Sequence, residues 1–369
     1  MRAENRCLGL PLIVWKNGRT VAIPACVYQC DPGRTPDVYA VIGFGWTTAR
    51  SAGNLSLALM KSTRSIGFFS ALGRGLAVSA LLLNCCAGAE SATNRPFAGL
   101  IYYSETRTNP PTRLFVAEVD LTNPNLHLRV APGGPDPDGP GKWQTMLMEP
   151  TKIAAREKFD FVVNGDFFKA RGVNDGEGTN SAYRADLWAL VEGPAVTDGK
   201  IWSTSTNARP CLVVHKNQSV TIENLTRPNA DDWEVIGGNT MLVRDGVAVP
   251  HQNQVRHPRT AAGLDAAGMK LILLVVDGRK PGVAVGMSYD ELAAEMLRLG
   301  CRQAVNLDGG GSSVMAIRNP VTGKLHILNE PTDGHERPVA DVLGISVDRA
   351  EPVGKQRPLL NAPPAPAPH

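Results

Sequence analysis

The sequence predicts an α+β fold, a single domain with a mixed, mainly antiparallel β-sheet flanked by helices, spanning residues 100 to 348 of the 369-residue chain. Three observations predict it. Short runs that alternate apolar and polar residues dominate the pattern, which is the period of half-buried strands. Only two segments carry helical signals. One of these lies between two adjacent strands, so it must cross a sheet.

In chain order, Arg113 to Asp120 reads as a strand between Pro/Gly/Asp-rich loops at 109 to 111 and 132 to 141, and alternation recurs at Asn125 to Val130. Met148 to Lys158 reads as a short helix. Phe159 to Val163 is a buried strand that ends at Asn164-Gly165-Asp166-Phe167-Phe168. Residues 169 to 186, rich in Gly, Asn, Asp and Arg, suit a long loop over a site. Strands follow at Cys211 to Val214 and Val220 to Ile222, then a hairpin over Leu242 to Val249 turning at Asp245-Gly246. Lys270 to Val276 is a buried strand ending at Asp277-Gly278-Arg279. Ser288 with Glu291 three residues later marks a helix start, and Gly300 its stop. That helix leads into Asn306-Leu307-Asp308-Gly309-Gly310-Gly311-Ser312-Ser313.

The start of the chain reads differently. Met60-Lys61-Ser62-Thr63-Arg64 opens a basic start, Leu76 to Leu83 is apolar, and Ala87-Gly88-Ala89 is a small-x-small end, the three parts of a secretory signal peptide. Residues 1 to 59 are then expected to be an upstream extension without function, 60 to 89 the signal, and 352 to 369 a disordered Pro/Ala-rich tail. The expected location is periplasmic or extracellular; Cys85 gives a weaker lipoprotein alternative. The apolar run is too short to span a bilayer, so no membrane span is expected in the mature chain.

The whole chain carries +3, but residues 1 to 89 hold nine Lys+Arg against three Asp+Glu, leaving 29 basic and 32 acidic residues beyond them. A surface near −3 gives no support for a nucleic-acid partner. Five of the seven cysteines also fall in that leading stretch. The remaining two, Cys211 and Cys301, have the option of one disulfide in an oxidising compartment and no metal-site spacing.

Three buried-looking strands end in acidic or amide groups beside glycine, at Asn164-Gly165-Asp166, Asp277-Gly278-Arg279 and Asn306-Leu307-Asp308-Gly309. Strand ends are where rigid scaffolds present functional side chains. Between them lies His257-Pro258-Arg259-Thr260-Ala261, and Arg337 follows in Glu336-Arg337-Pro338-Val339. Arginine presents a planar fork matched to phosphate, and three glycines remove side chains so that N–H groups can form an anion nest. The bland alternatives are turns for each Gly motif, a structural ion pair for Arg259, core packing for Phe167 and Phe168, and a loop position for His257.

These motifs, Asn-Gly-Asp-Phe-Phe at 164 to 168, His-Pro-Arg-Thr-Ala at 257 to 261, Asp-Gly-Arg at 277 to 279, Asn-Leu-Asp-Gly-Gly-Gly-Ser-Ser at 306 to 313 and Arg-Pro-Val at 337 to 339, resemble in order and spacing the phosphodiester glycosidases. That family is typified by the enzyme that removes N-acetylglucosamine from a phosphodiester to uncover mannose 6-phosphate. The resemblance covers residues 100 to 348 and implies a hydrolase that cleaves a sugar-1-phosphodiester, acting on exported glycans or cell-envelope polysaccharide. The sequence lacks the cysteine-rich and membrane-spanning extensions of the animal enzyme.

On this reading Asp308 and Asp166 carry the carboxylate chemistry, with Asp277 third. Arg259, Arg279 and the Gly309, Gly310, Gly311 nest hold phosphate, Asn164 and Asn306 bind sugar hydroxyls, and Ser312, His257 and Arg337 complete the substrate-binding set. No cofactor is expected to be required. Two alternatives stay open: a metal-dependent phosphodiesterase with Asp166, Asp277 and Asp308 holding calcium or magnesium, and a non-catalytic polysaccharide-binding protein.

Overall fold

Alternate residues of the strand Pro111–Asp120 face opposite cores: Phe115, Ala117 and Val119 point to one, Leu114 and Val116 to the other. That period of two, repeated strand after strand, builds the molecule. A computed structural model describes residues 12–16, 19–23, 93–178 and 182–348. The chain divides into two compact units, Met1–Ala77 and Val78–His369. In the first, Leu12–Lys16 pairs antiparallel with Arg19–Ile23. The signal segment at 60 to 89 and the tail at 352 to 369 lie outside the described residues, as does most of the expected upstream extension.

The second unit is built on an eight-stranded sheet with the order Val247–Ala248, Thr240–Arg244, Gln303–Asn306, Arg259–Leu264, Lys270–Val276, Pro111–Asp120, Leu100–Thr108 and Asn94–Phe97. A five-stranded sheet orders Leu325–Ile327, Met315–Arg318, Phe161–Asn164, Asp341–Val347 and Leu126–Pro132. A second five-stranded sheet comprises Lys200–Ser203, Ala195–Thr197, Asp232–Gly237, Arg209–His215 and Val220–Leu225, and a three-stranded sheet comprises Thr145–Met146, Trp188–Val191 and Phe168–Ala170.

Every strand pair among the described residues is antiparallel, so the expected mixed character is corrected. The reason lies in the connections. Hairpins supply many links, and even the helix before Gln303–Asn306 returns the chain beside strands running the opposite way. Helices are also fewer than "flanked by helices" suggests. Among the described residues two α-helices, Pro150–Glu157 and Tyr289–Arg298, serve a largely β structure.

The layers follow from the alternation. Ala117, Leu273, Ala262 and Val305 on one face of the large sheet pack against Val163, Leu343 and Met315 of the first five-stranded sheet and Leu212 and Ile236 of the second. The far face of the large sheet, through Val116, Leu274 and Ala304, is covered by Leu292, Ala293 and Met296 of Tyr289–Arg298. The far face of the first five-stranded sheet, through Val162 and Val342, is covered by Ile153 and Ala154 of Pro150–Glu157. Burial of this apolar area is the main stabilising term.

Helix ends match their sequence signals. The Ser288 hydroxyl accepts from the Glu291 N–H while the Glu291 carboxylate accepts from the Ser288 N–H, a complete capping box. Pro150 occupies the first turn of its helix. The hairpin turns at Asp245-Gly246 as expected, with both residues at positive φ.

The disulfide option is corrected: Cys211 and Cys301 are both free and buried in separate clusters. Burial pushes the Cys301 thiol up to about 12 and the Cys211 thiol higher still. No helix of the described residues is long and apolar enough to cross a membrane.

Candidate active site

Two strand ends from different sheets meet at the centre of the site. Asn164 closes Phe161–Asn164, and its side chain is fully buried. Its Nδ2 donates to the Asp308 carbonyl at 2.7 Å, while its Oδ1 accepts from Thr260 Oγ1 at 2.7 Å and from the Val314 N–H at 3.1 Å. The Asp308 N–H in turn donates to the Gly165 carbonyl at 2.9 Å. Asn164 thus joins the large sheet, through Thr260, to the neighbouring five-stranded sheet. A side chain this occupied does not bind a sugar hydroxyl, which corrects that expectation. Asn306 is also fully buried; its Nδ2 donates to Asn239 Oδ1 and the Leu307 carbonyl, while its Oδ1 has no hydrogen-bond partner among the described residues.

Asp308 is the partly exposed carboxylate at this junction. Its Oδ1 accepts from the Gly309 N–H at 2.7 Å. Burial raises its pKa to about 6, helped by the charge of Glu192; the Gly309 N–H and the Arg337 guanidinium oppose the rise. The Ser312 hydroxyl lies beside it, outside good hydrogen-bond geometry.

Asp166 sits deeper. Its Oδ2 accepts from the Gly193 N–H at 2.7 Å, and its own N–H donates to Asp341 Oδ1 at 2.8 Å. Asp166 Oδ1 and Asp341 Oδ2 are buried without hydrogen-bond partners among the described residues. Burial and the neighbouring Asp341 hold the Asp166 carboxyl well above the usual range, and burial pushes Asp341 to about 7, with Asp308 adding to the rise. Asp341 escaped the sequence reading although it lies two residues beyond the Arg-Pro-Val motif. Its contact with Asp166 spans 175 residues, and the one local signal is Gly165, where a Cβ would overlap the Asp341 carboxylate.

Asp277 does not join this group. It is buried at the end of Lys270–Val276 and spent on Asn329 Nδ2 at 3.2 Å, the Glu330 N–H at 3.1 Å and, more distantly, Arg113 Nε at 3.8 Å. It anchors the loop at 329 to 330, which corrects its catalytic assignment. The proposed metal triad loses a member with it, and among the described residues no three His, Cys, Asp or Glu side chains converge to hold an ion.

The glycine run makes room for cations. A Cβ at Gly311 would overlap the Arg337 guanidinium, so only glycine lets that side chain lie over the loop. Arg337 is also stacked 4.4 Å from the Tyr183 ring centroid and bridged to Asp333 at 2.8 Å. On the other side Arg279, exposed and itself at positive φ, lies against Gly310, its Nη2 3.3 Å from His257 Nδ1. Among the described residues Arg279 has no carboxylate partner. The nest expectation is narrowed, because the Gly309 N–H is spent on Asp308 Oδ1 and the Gly310 N–H on the Pro258 carbonyl.

Arg259 is corrected as a phosphate ligand. It is buried, donates to the Met287 and Val255 carbonyls, and stacks 4.0 Å from the Tyr289 ring centroid. Its charge still counts: burial, then Arg259 and Arg279, lower the His257 pKa. Arg259 and Arg279 therefore form a positive wall beside Asp308's loop, and they disfavour a charge on His257. Tyr183, Glu192 and Arg209 were also missed. Tyr183 lies in the stretch read only as loop, and Arg209 Nη2 reaches Glu192 Oε2 at 2.9 Å. Phe168 is core, packed edge-on to Tyr183 at 5.6 Å.

Comparison with known proteins bears on this geometry. A 92-residue stretch is 41% identical to the SPbeta prophage-derived uncharacterized protein YomE of Bacillus subtilis (strain 168), covering 25% of this chain and 13% of that protein. The chain therefore spans about an eighth of the length of that relative. The catalytic domain of zebrafish N-acetylglucosamine-1-phosphodiester alpha-N-acetylglucosaminidase is 21% identical at a TM-score of 0.49, over 70% of this chain and 84% of that one. The phosphodiester glycosidase family model matches residues 157–346, just over half of the chain and every motif of the site, and the chain belongs to that family.

Proposed function

We propose that this glycosidase-type hydrolase cleaves a sugar-1-phosphodiester between the anomeric carbon and the phosphate oxygen. The observation that carries the reading is Asp308. It is the one sequence-expected carboxylate that reaches the surface of the site, and the loop that follows it has Arg337 packed on one side and, on the other, Arg279, which has no carboxylate partner among the described residues. A carboxylate stabilises the oxocarbenium-like transition state, and cations neutralise the departing phosphate. A phosphate monoester leaves readily, so charge neutralisation matters more than protonation of the leaving oxygen. Asp308 acts ionised, Arg279 and Arg337 hold the phosphate, and Asp166 with Asp341 supports the loop from below. No metal is required.

The same chain is exported through its segment at 60 to 89 and meets its substrate outside the cytoplasm, on a glycan or envelope polysaccharide. The reading is tested with residues 90 to 369 and a panel of sugar 1-phosphodiesters in ¹⁸O-water. The label is expected in the released sugar. Label in the phosphate would mean cleavage at phosphorus and would sink the glycosidase reading, and activity abolished by a chelator would sink the metal-free one. Asp308→Asn is expected to lower turnover by about 10³-fold or more, the scale of losing a transition-state charge partner.

A further inference from the structure

Hydrolysis at an anomeric carbon commonly uses two carboxylates, and Asp166, Asp277 and Asp341 are all buried. Glu192 is not; its side chain is 31% exposed. The backbone docks it on the same segment as Asp308. The Glu192 N–H donates to the Phe167 carbonyl at 2.8 Å, the Asp308 N–H donates to the Gly165 carbonyl at 2.9 Å, and the next N–H, of Gly193, holds Asp166 Oδ2. Asp308 and Glu192 thus dock on one short segment at carbonyls two residues apart, roughly 7 Å in extended chain. The two side chains start from neighbouring points of one backbone segment, and the Glu192 charge acts on Asp308.

Glu192 also has the right electrostatic setting. Arg209 Nη2 holds its Oε2 at 2.9 Å, while Oε1 makes no hydrogen bond among the described residues. The arginine keeps the side chain oriented and leaves Oε1 as an acceptor. Its charge reaches Asp308, where it opposes ionisation.

We propose that Glu192 is the catalytic base for the attacking water, an assignment that rests on the sugar-1-phosphodiester reading. The water oxygen bonds to the anomeric carbon and the bond from that carbon to the phosphate oxygen breaks. The bonding pair leaves with the phosphate monoester, and the water proton passes to Glu192 and then to solvent. Arg209 is the positioning residue that aims it.

The test compares wild type, Glu192→Gln and Glu192→Ala on the 1-(methyl phosphates) of N-acetylglucosamine, glucose and mannose, both anomers, with and without sodium azide. Glu192→Gln is expected to lower kcat by about 10²- to 10⁴-fold with KM changed by less than about threefold. In Glu192→Ala, azide is expected to restore turnover and yield a glycosyl azide, which a merely structural role would not produce. Wild-type kcat in Glu192→Gln overturns the inference and leaves the reading intact. Loss without azide rescue, in a variant whose circular dichroism matches wild type, also overturns it. A wild-type protein inactive on every compound overturns both. Should Glu192→Ala fail to fold, the kcat and KM of Glu192→Gln decide.

Discussion

On the proposed mechanism Asp308 sets the working pH of the site. With its pKa raised to about 6, a reaction that uses its ionised form should gain kcat as pH rises through about 6 and then level off. The same shift carries a stability consequence of opposite sense. A carboxylate whose pKa is higher folded than unfolded binds its proton more tightly in the native state. It therefore favours folding at acid pH, and that contribution is lost as pH rises from about 4 through 6. Asp308→Asn keeps an acceptor for the Gly309 N–H without the buried charge, so it should melt no lower than wild type at pH 8 while being inactive. A flat pH profile or a marked fall in Tm at pH 8 would contradict this. Asn164 works the other way. Truncation in Asn164→Ala strands the Val314 N–H, the Thr260 hydroxyl and the Asp308 carbonyl, and is expected to cost about 2–4 kcal/mol in urea unfolding. Residue identity was readable in the sequence at both positions; role was not. Asn164 beside Gly165-Asp166 looks like a ligand-binding amide until the partners of all its polar atoms are known.

Among elements, those with local signals were the legible ones. The helix Tyr289–Arg298 follows its capping box, the hairpin at 245 to 246 its Asp-Gly turn, and Lys270–Val276 its continuous apolar run. Ser288→Ala removes the hydroxyl that accepts the Glu291 N–H and is expected to cost about 1 kcal/mol, read as a lower urea midpoint at unchanged slope. An unchanged midpoint would show that packing of Leu292 and Met296 alone sets that end. The strands that escaped the sequence reading are of two kinds. Leu100–Thr108 and Lys200–Ser203 are short of strong apolar alternation, and each has a single buried residue, Leu100 and Ser203. Asp341–Val347 has five fully buried residues in succession, among them Asp341 and a glycine, because it is central between Phe161–Asn164 and Leu126–Pro132. Its pairing, not its composition, makes it a strand.

For the molecule as a whole, the sequence conveyed strands in plenty with two helices, but not which faces would meet. The division of Val162 from Val163, or Leu273 from Leu274, between different cores is a period-two pattern any strand shows; that the inner faces of three sheets share one core is fixed only by long-range register. Convergence of the site follows the same division. Asp308 was found because its strand ends in a glycine run, whereas Glu192 and Asp341 arrive from sheets whose neighbours the sequence does not name. The clamp at Asn164, finally, makes the two sheets a single thermodynamic unit. One of its three hydrogen bonds holds the main-chain carbonyl of Asp308, so the sheets cannot part without disturbing the candidate site. Heating should therefore yield no folded but inactive species. Loss of turnover, loss of near-ultraviolet dichroism and the calorimetric transition should trace one curve, and an activity that fails well below the melting temperature would show that the sheets come apart separately.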